Sequence, residues 1–102
     1  MTEKQPTAEQ IQKFWEWCGF YTQGHTLMSP TKMPRQSYPD IDLNNLFKYA
    51  VPKMEAVTIE CDIRQASVRV ITLPNNAFYA VDKDPALALF WAIWEVIHKE
   101  SL

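Results

Sequence analysis

Glycine and cysteine are both scarce, at two residues each in a chain of 102. So little glycine excludes Gly-rich linkers and low-complexity tails. Cys18 and Cys61 lie far apart and form no C-x-x-C pair, which sets aside a disulfide framework and a thiol-redox motif. No charged segment followed by an apolar one opens the sequence, so the expectation is a reduced, cytoplasmic protein with two free thiols. Long apolar runs are also missing. The longest, Ala86 to Trp94, is about half of what a membrane span requires and reads as a buried helix. Basic charge is limited to 10 Lys and Arg against 12 Asp and Glu, a net charge of -2, and it is scattered. Without a basic stripe to neutralise phosphates, nucleic acid is not expected as the main ligand. There is no G-x-G-x-x-G, P-loop or G-x-S-x-G. No cofactor, no metal and no catalytic activity are expected.

What is present suits one small domain spanning residues 1–102. Hydrophobic residues make up 47% and charged residues 22%, which argues against disorder. A chain of this size buries roughly two-thirds of its surface on folding, enough for a core without staples.

Met1 to Pro6 reads as a polar tail. Thr7 then opens a helix, with Gln10 three residues on to complete a capping box. Ile11, Phe14, Trp15 and Cys18 form its apolar stripe, and Gly19 stops it. Trp17 lies off that stripe. Phe20 to Met28 suits a short hairpin, with Gly24 supplying the turn. Residues 29–39, with Pro30, Pro34 and Pro39, read as a proline-rich surface loop. Asp40 or Asp42 caps a second helix, whose buried stripe is Leu43, Leu46, Phe47, Ala50 and Val51. Pro52 ends it near Tyr49 to Val51.

From Glu55 the apolar period shortens to two, with Val57, Ile59, Cys61 and Ile63 on one face of a strand. Ser67 to Leu73 makes a second strand, Asn75-Asn76 a tight turn and Phe78 to Val81 a third strand. Asp84-Pro85 then opens a helix that is apolar all round except at Glu95. Such a helix needs a second cover besides the sheet, from another helix or from a partner chain. The resulting order is α-[β-hairpin]-α-β-β-β-α. The fold class is α+β, with helices layered on a small antiparallel sheet.

Chemistry-bearing residues are sparse. His98 stands three residues after Glu95, the spacing of an ordinary surface pair on a helix. His25 lies in the hairpin, where histidines occasionally meet ligands. Cys18 and Cys61 both fall on expected core faces, as small hydrophobes. Asp40 with Asp42, and Asp82 with Asp84, precede helices, where capping accounts for them without calcium or acid–base chemistry. Aromatics stand out at 13%, with four tryptophans. Tyrosine and tryptophan bury much area with few rotors, so they anchor interfaces. Trp17, Phe20, Tyr21 and Tyr38 are expected to form one exposed aromatic patch beside the proline-rich loop, with His25 close by.

Three segments resemble a known family. They are Phe14-Trp15-Glu16-Trp17-Cys18-Gly19-Phe20, Asp40-Ile41-Asp42-Leu43-Asn44-Asn45-Leu46-Phe47 with its continuation to Met54, and Asp84-Pro85-Ala86-Leu87-Ala88-Leu89-Phe90-Trp91 with its continuation to Glu95. In that order they look like the small phage ABA sandwich proteins of bacteriophages and prophages. The resemblance implies a layered α and β domain in the cytoplasm of a bacterial host, without an assigned activity and with no catalytic residue to carry over. The expected function is a phage or prophage accessory protein that binds a protein partner from host or phage. A homo-oligomer, for instance a homodimer, assembled through the apolar last helix is the alternative. A small-ligand binder or enzyme around His25 is the second.

Overall fold

A computed structural model describes residues 5–72 and 76–100. Most of the expected tail, the Leu73 end of the second strand and Asn75 of the expected turn lie outside them. The fold class is α+β, as the periodicities predict. Pro6–Asp40 forms one unit, and the chain from Ile41 onward forms most of the other.

In the first unit, α1 (Ala8–Trp17) begins at the expected capping box. The Thr7 hydroxyl accepts from the Gln10 amide at 3.1 Å, and the Gln10 side chain accepts from the Thr7 amide at 2.9 Å. The helix is followed by β1 (Tyr21–Gln23), β2 (Thr26–Met28) and β3 (Pro34–Arg35), an antiparallel sheet in that order. Gly24, at φ 64°, and His25 form the two-residue loop between β1 and β2. Positive φ at the first loop position only is what a type II′ turn needs.

The proline-rich stretch reads as a surface loop from the sequence, and within it the structure places the short strand β3. Residues 29–33 turn the chain into a second hairpin, pairing Met28 with Pro34 and Leu27 with Arg35. Lys32 donates to the Ser29 carbonyl at 2.9 Å, and the Ser29 amide donates to the Met33 carbonyl at 2.8 Å. Lys32 takes φ 66°, the left-handed position that closes a three-residue hairpin loop and that glycine usually fills. The Ser29 hydroxyl, itself buried, accepts from the Met33 amide at 3.1 Å and holds the turn. Without a glycine at that position, the turn carries no sequence signal.

The second unit opens with α2 (Leu43–Tyr49), capped by Asp42 rather than Asp40 through a 2.8 Å bond from the Asn45 amide. It ends where Pro52 requires, in a 3₁₀ turn over Val51–Lys53. Of the expected stripe, Leu46 and Ala50 are buried and Val51 is half-buried, whereas Leu43 and Phe47 are exposed. Three antiparallel strands follow: β4 (Ala56–Cys61), β5 (Ala66–Thr72) and β6 (Asn76–Asp82), with β5 in the centre. Last comes α3 (Pro85–Glu100). Asp84 accepts from the Ala86 amide at 2.8 Å, and Pro85 stands at the first helical position.

Ala66, Val68 and Val70 of β5 are buried, and α3 packs on β5 and β6 with little contact to β4. Leu89, Phe90 and Ile93 of α3 are fully buried. The second cover that this helix requires comes from α2, which packs on it. The limited cover over β4 corrects two expectations. Val57 and Ile59 are half-buried, but Cys61 is exposed and Ile63 fully so. Ile63 lies in the turn rather than the strand. Asp62 closes that turn by accepting from the Arg64 and Gln65 amides at 2.7 and 2.9 Å.

Candidate protein-binding surface

The aromatic residues singled out from the sequence are organised by the end of α1. Gly19 takes φ 112° just past the helix. The Phe20 amide donates to the Trp15 carbonyl and the Gly19 amide to the Glu16 carbonyl, both at 3.0 Å. These two bonds define a Schellman motif, and its usual apolar contact is also present. The Trp15 and Phe20 rings meet edge to face, with centroids 5.6 Å apart. Helix termination and aromatic packing are therefore one local event, set by the glycine.

From there a chain of rings extends in both directions. Phe14 meets Trp15 at 5.0 Å and 87°, and Phe20 meets Tyr38 at 6.2 Å and 66°. The Arg35 guanidinium lies 5.9 Å from the Phe20 ring centre, within cation–π range. Burial raises the Tyr38 phenol above its ordinary value, and the nearby Glu16 charge adds to the shift. Tyr38 is therefore a neutral donor at physiological pH.

This arrangement corrects the single exposed patch. Phe20 is only 2% exposed, and Tyr38 and Trp17 are half-buried. Tyr21, at 39% exposure, belongs to the opposite face of the hairpin, because successive residues of a strand point to opposite sides. Tyr21 pairs with Met28, which pairs with Pro34, so these three make one row across the sheet. Met33, 63% exposed, lies opposite Ser29 and so falls on the other side from Pro34 by the same alternation. The row Thr22–Leu27–Arg35 takes the other side, with the cation over Phe20. His25 stands exposed at the turn tip, and Asp40 is exposed as well. Met28, Met33 and Pro34 were not singled out from the sequence. Strand alternation from Tyr21 would have reached Met28, but pairing with Pro34 depended on the unsignalled turn.

A second surface feature lies in the other unit, where a groove of about 210 Å³ crosses the outer face of β4, β5 and β6. Thr58, Glu60, Arg69, Tyr79 and Val81 line it, with Tyr79 65% exposed. Among the described residues no group of three His, Cys, Asp or Glu is placed to hold a metal ion, and no helix is long and apolar enough to cross a membrane. Comparison with protein-family models, with curated proteins and with solved structures returned no match.

Proposed function

We propose that this chain is a non-catalytic accessory protein of phage or prophage origin that binds a protein partner, from the host or the phage, through the outer hairpin face of Tyr21, Met28 and Pro34. One observation carries the binding reading: an exposed tyrosine, in one row with Met28 and Pro34, stands across the hairpin from an aromatic base already locked by the Schellman motif and the ring chain. A preformed base lowers the ordering cost of association, and the flexible Met28 side chain adapts to a partner's shape. The phage origin rests on the resemblance of the three segments.

The test compares the tagged wild type with Tyr21→Ala and Met28→Ala for capture of a partner from host lysate, followed by titration with the purified partner. An interface anchor truncated to alanine costs on the order of 2 kcal/mol, so Tyr21→Ala should weaken binding about 30-fold. Far-UV circular dichroism should stay at the wild-type value, since neither side chain belongs to the buried core. Unchanged affinity in both variants would remove this face as the binding surface.

A further inference from the structure

Backbone hydrogen bonding in the three-stranded sheet of the second unit can be followed from one bond to its free edge. The Asp62 amide donates to the Gln65 carbonyl. In an antiparallel ladder, hydrogen-bonded pairs recur at every second residue, so Glu60↔Ser67 and Thr58↔Arg69 are also hydrogen-bonded pairs. Residues 67, 69 and 71 of β5 therefore spend their backbone groups on β4, and 66, 68, 70 and 72 spend theirs on β6. Through the pairs Ala66↔Asp82, Val68↔Ala80, Val70↔Phe78 and Thr72↔Asn76, the even residues of β6 face β5. The amides and carbonyls of Ala77, Tyr79 and Val81 point outward. Among the described residues no hydrogen bond outside the ladder involves them.

An edge strand of this kind is usually blunted by charge, proline, a bulge or shortness. β1 and β3 have three and two residues, and β3 begins at Pro34. On β4 the backbone groups that point away from β5 belong to Val57, Ile59 and Cys61, and the charged Glu60 stands between them. β6 is seven residues long, has no proline and no charged residue before its last, Asp82, and its outward row of Ala77, Tyr79 and Val81 is uncharged and exposed.

We infer that two copies of this chain pair antiparallel along β6, about a two-fold axis at Tyr79, to form one continuous six-stranded sheet. The register follows from the free groups. Only pairing Tyr79 with its own copy, and Ala77 with Val81 of the other, engages all three outward residues of both strands. That register centres on the middle residue of β6. Two of the unlike pairs set a small side chain against a larger one, Ala77 against Val81 on the outer face and Ala80 against Phe78 on the helix side. Asp82 falls opposite Asn76, so no like charges meet. A two-fold interface must be self-complementary, and this strand is. Because α3 packs chiefly on β5 and β6, the same axis sets the two α3 helices about 10 Å apart, the spacing of packed helices. Trp91 and Trp94, half-buried on α3, supply the apolar surface that helix retains. This pairing is independent of the hairpin-face reading above, because it uses neither the same unit nor the same residues.

Sedimentation equilibrium of the full chain from about 10 µM to about 1 mM tests it, a range suited to a small interface. The wild-type mass should rise with concentration from 11.9 kDa towards twice that value. Tyr79→Lys and Tyr79→Glu should each stay at 11.9 kDa alone, because like charges face each other across the axis, and an equimolar mixture should regain the doubled mass. Tyr79→Pro should fold and remain monomeric, since the amide it removes faces outward. Hydrogen exchange on the wild type needs no variant: the Ala77, Tyr79 and Val81 amides should slow with concentration, and those of Phe78 and Ala80 should not. A wild type that stays monomeric throughout, doubled mass persisting in Tyr79→Lys and Tyr79→Pro, or a mixture that fails to pair would each overturn the proposal.

Discussion

Gly19 bears two constraints at once. Its φ of 112° is costly for any residue with a side chain, and a Cβ there would lie 3.3 Å from both Cβ and Cγ of Pro30. Gly24 shares a positive φ of 64° but has open space around it. Gly24→Ala should therefore cost only the backbone term, about 1 kcal/mol. Gly19→Ala should cost more, about 2–3 kcal/mol, because the proline ring must also give way. Urea unfolding of the two variants measures the difference, and equal losses would show that the Pro30 contact carries nothing. A second residue-scale case is Asp62. Its two backbone amide bonds hold the carboxyl below its ordinary value of 3.8. A depressed folded value means that the ionised form stabilises the fold: the contribution is present above the ordinary value and is lost as pH falls through the lowered one. Asp62→Ala should accordingly be less stable than wild type at neutral pH, with the gap closing on acidification. A gap independent of pH would assign the loss to something other than the charge.

For the elements, packing and capping divide the work. The local signals of α1, α2 and α3 all appear as written: Thr7 with Gln10, Asp42 before a Pro52 stop, and Asp84-Pro85. Each needs only neighbouring residues, which is why each is legible. Burial is a different matter. Period two names the faces of β4, but α3 lies over β5 and β6, so Cys61 on the nominal inner face is exposed. Leu89 is fully buried on α3, and Leu89→Ala should cost about 2–5 kcal/mol by denaturant titration. Phe47 on the nominal inner stripe of α2 is 48% exposed, so Phe47→Ala should cost well under half as much. Comparable losses at the two positions would mean that helix periodicity, rather than the observed cover, sets the core.

At the scale of the whole molecule the two thiols report the fold directly. Cys18 is buried and Cys61 exposed, although both occupy apolar-periodic positions. A thiol reagent should modify Cys61 rapidly in the native protein and Cys18 only on unfolding, which mass spectrometry of the labelled peptides resolves. Fast reaction at both would contradict the described core. The same distinction marks how far the candidate site was legible. Tyr21 was, as an exposed tyrosine on a strand; its row with Met28 and Pro34 was not.

By itself the sequence determined where helices start and stop, where the period changes from 3.6 to 2, and that the fold is α+β. These depend on capping hydrogen bonds, proline sterics and side-chain periodicity, all interactions among residues a few positions apart. Tertiary structure alone decided which apolar face is covered, leaving Phe20 buried and Tyr21 exposed on the two sides of one hairpin. It also decided which strand of the second sheet is left with a free, uncharged edge. Those outcomes depend on which distant element lies above each face, and a face without a cover has the same residues in sequence as one that has it.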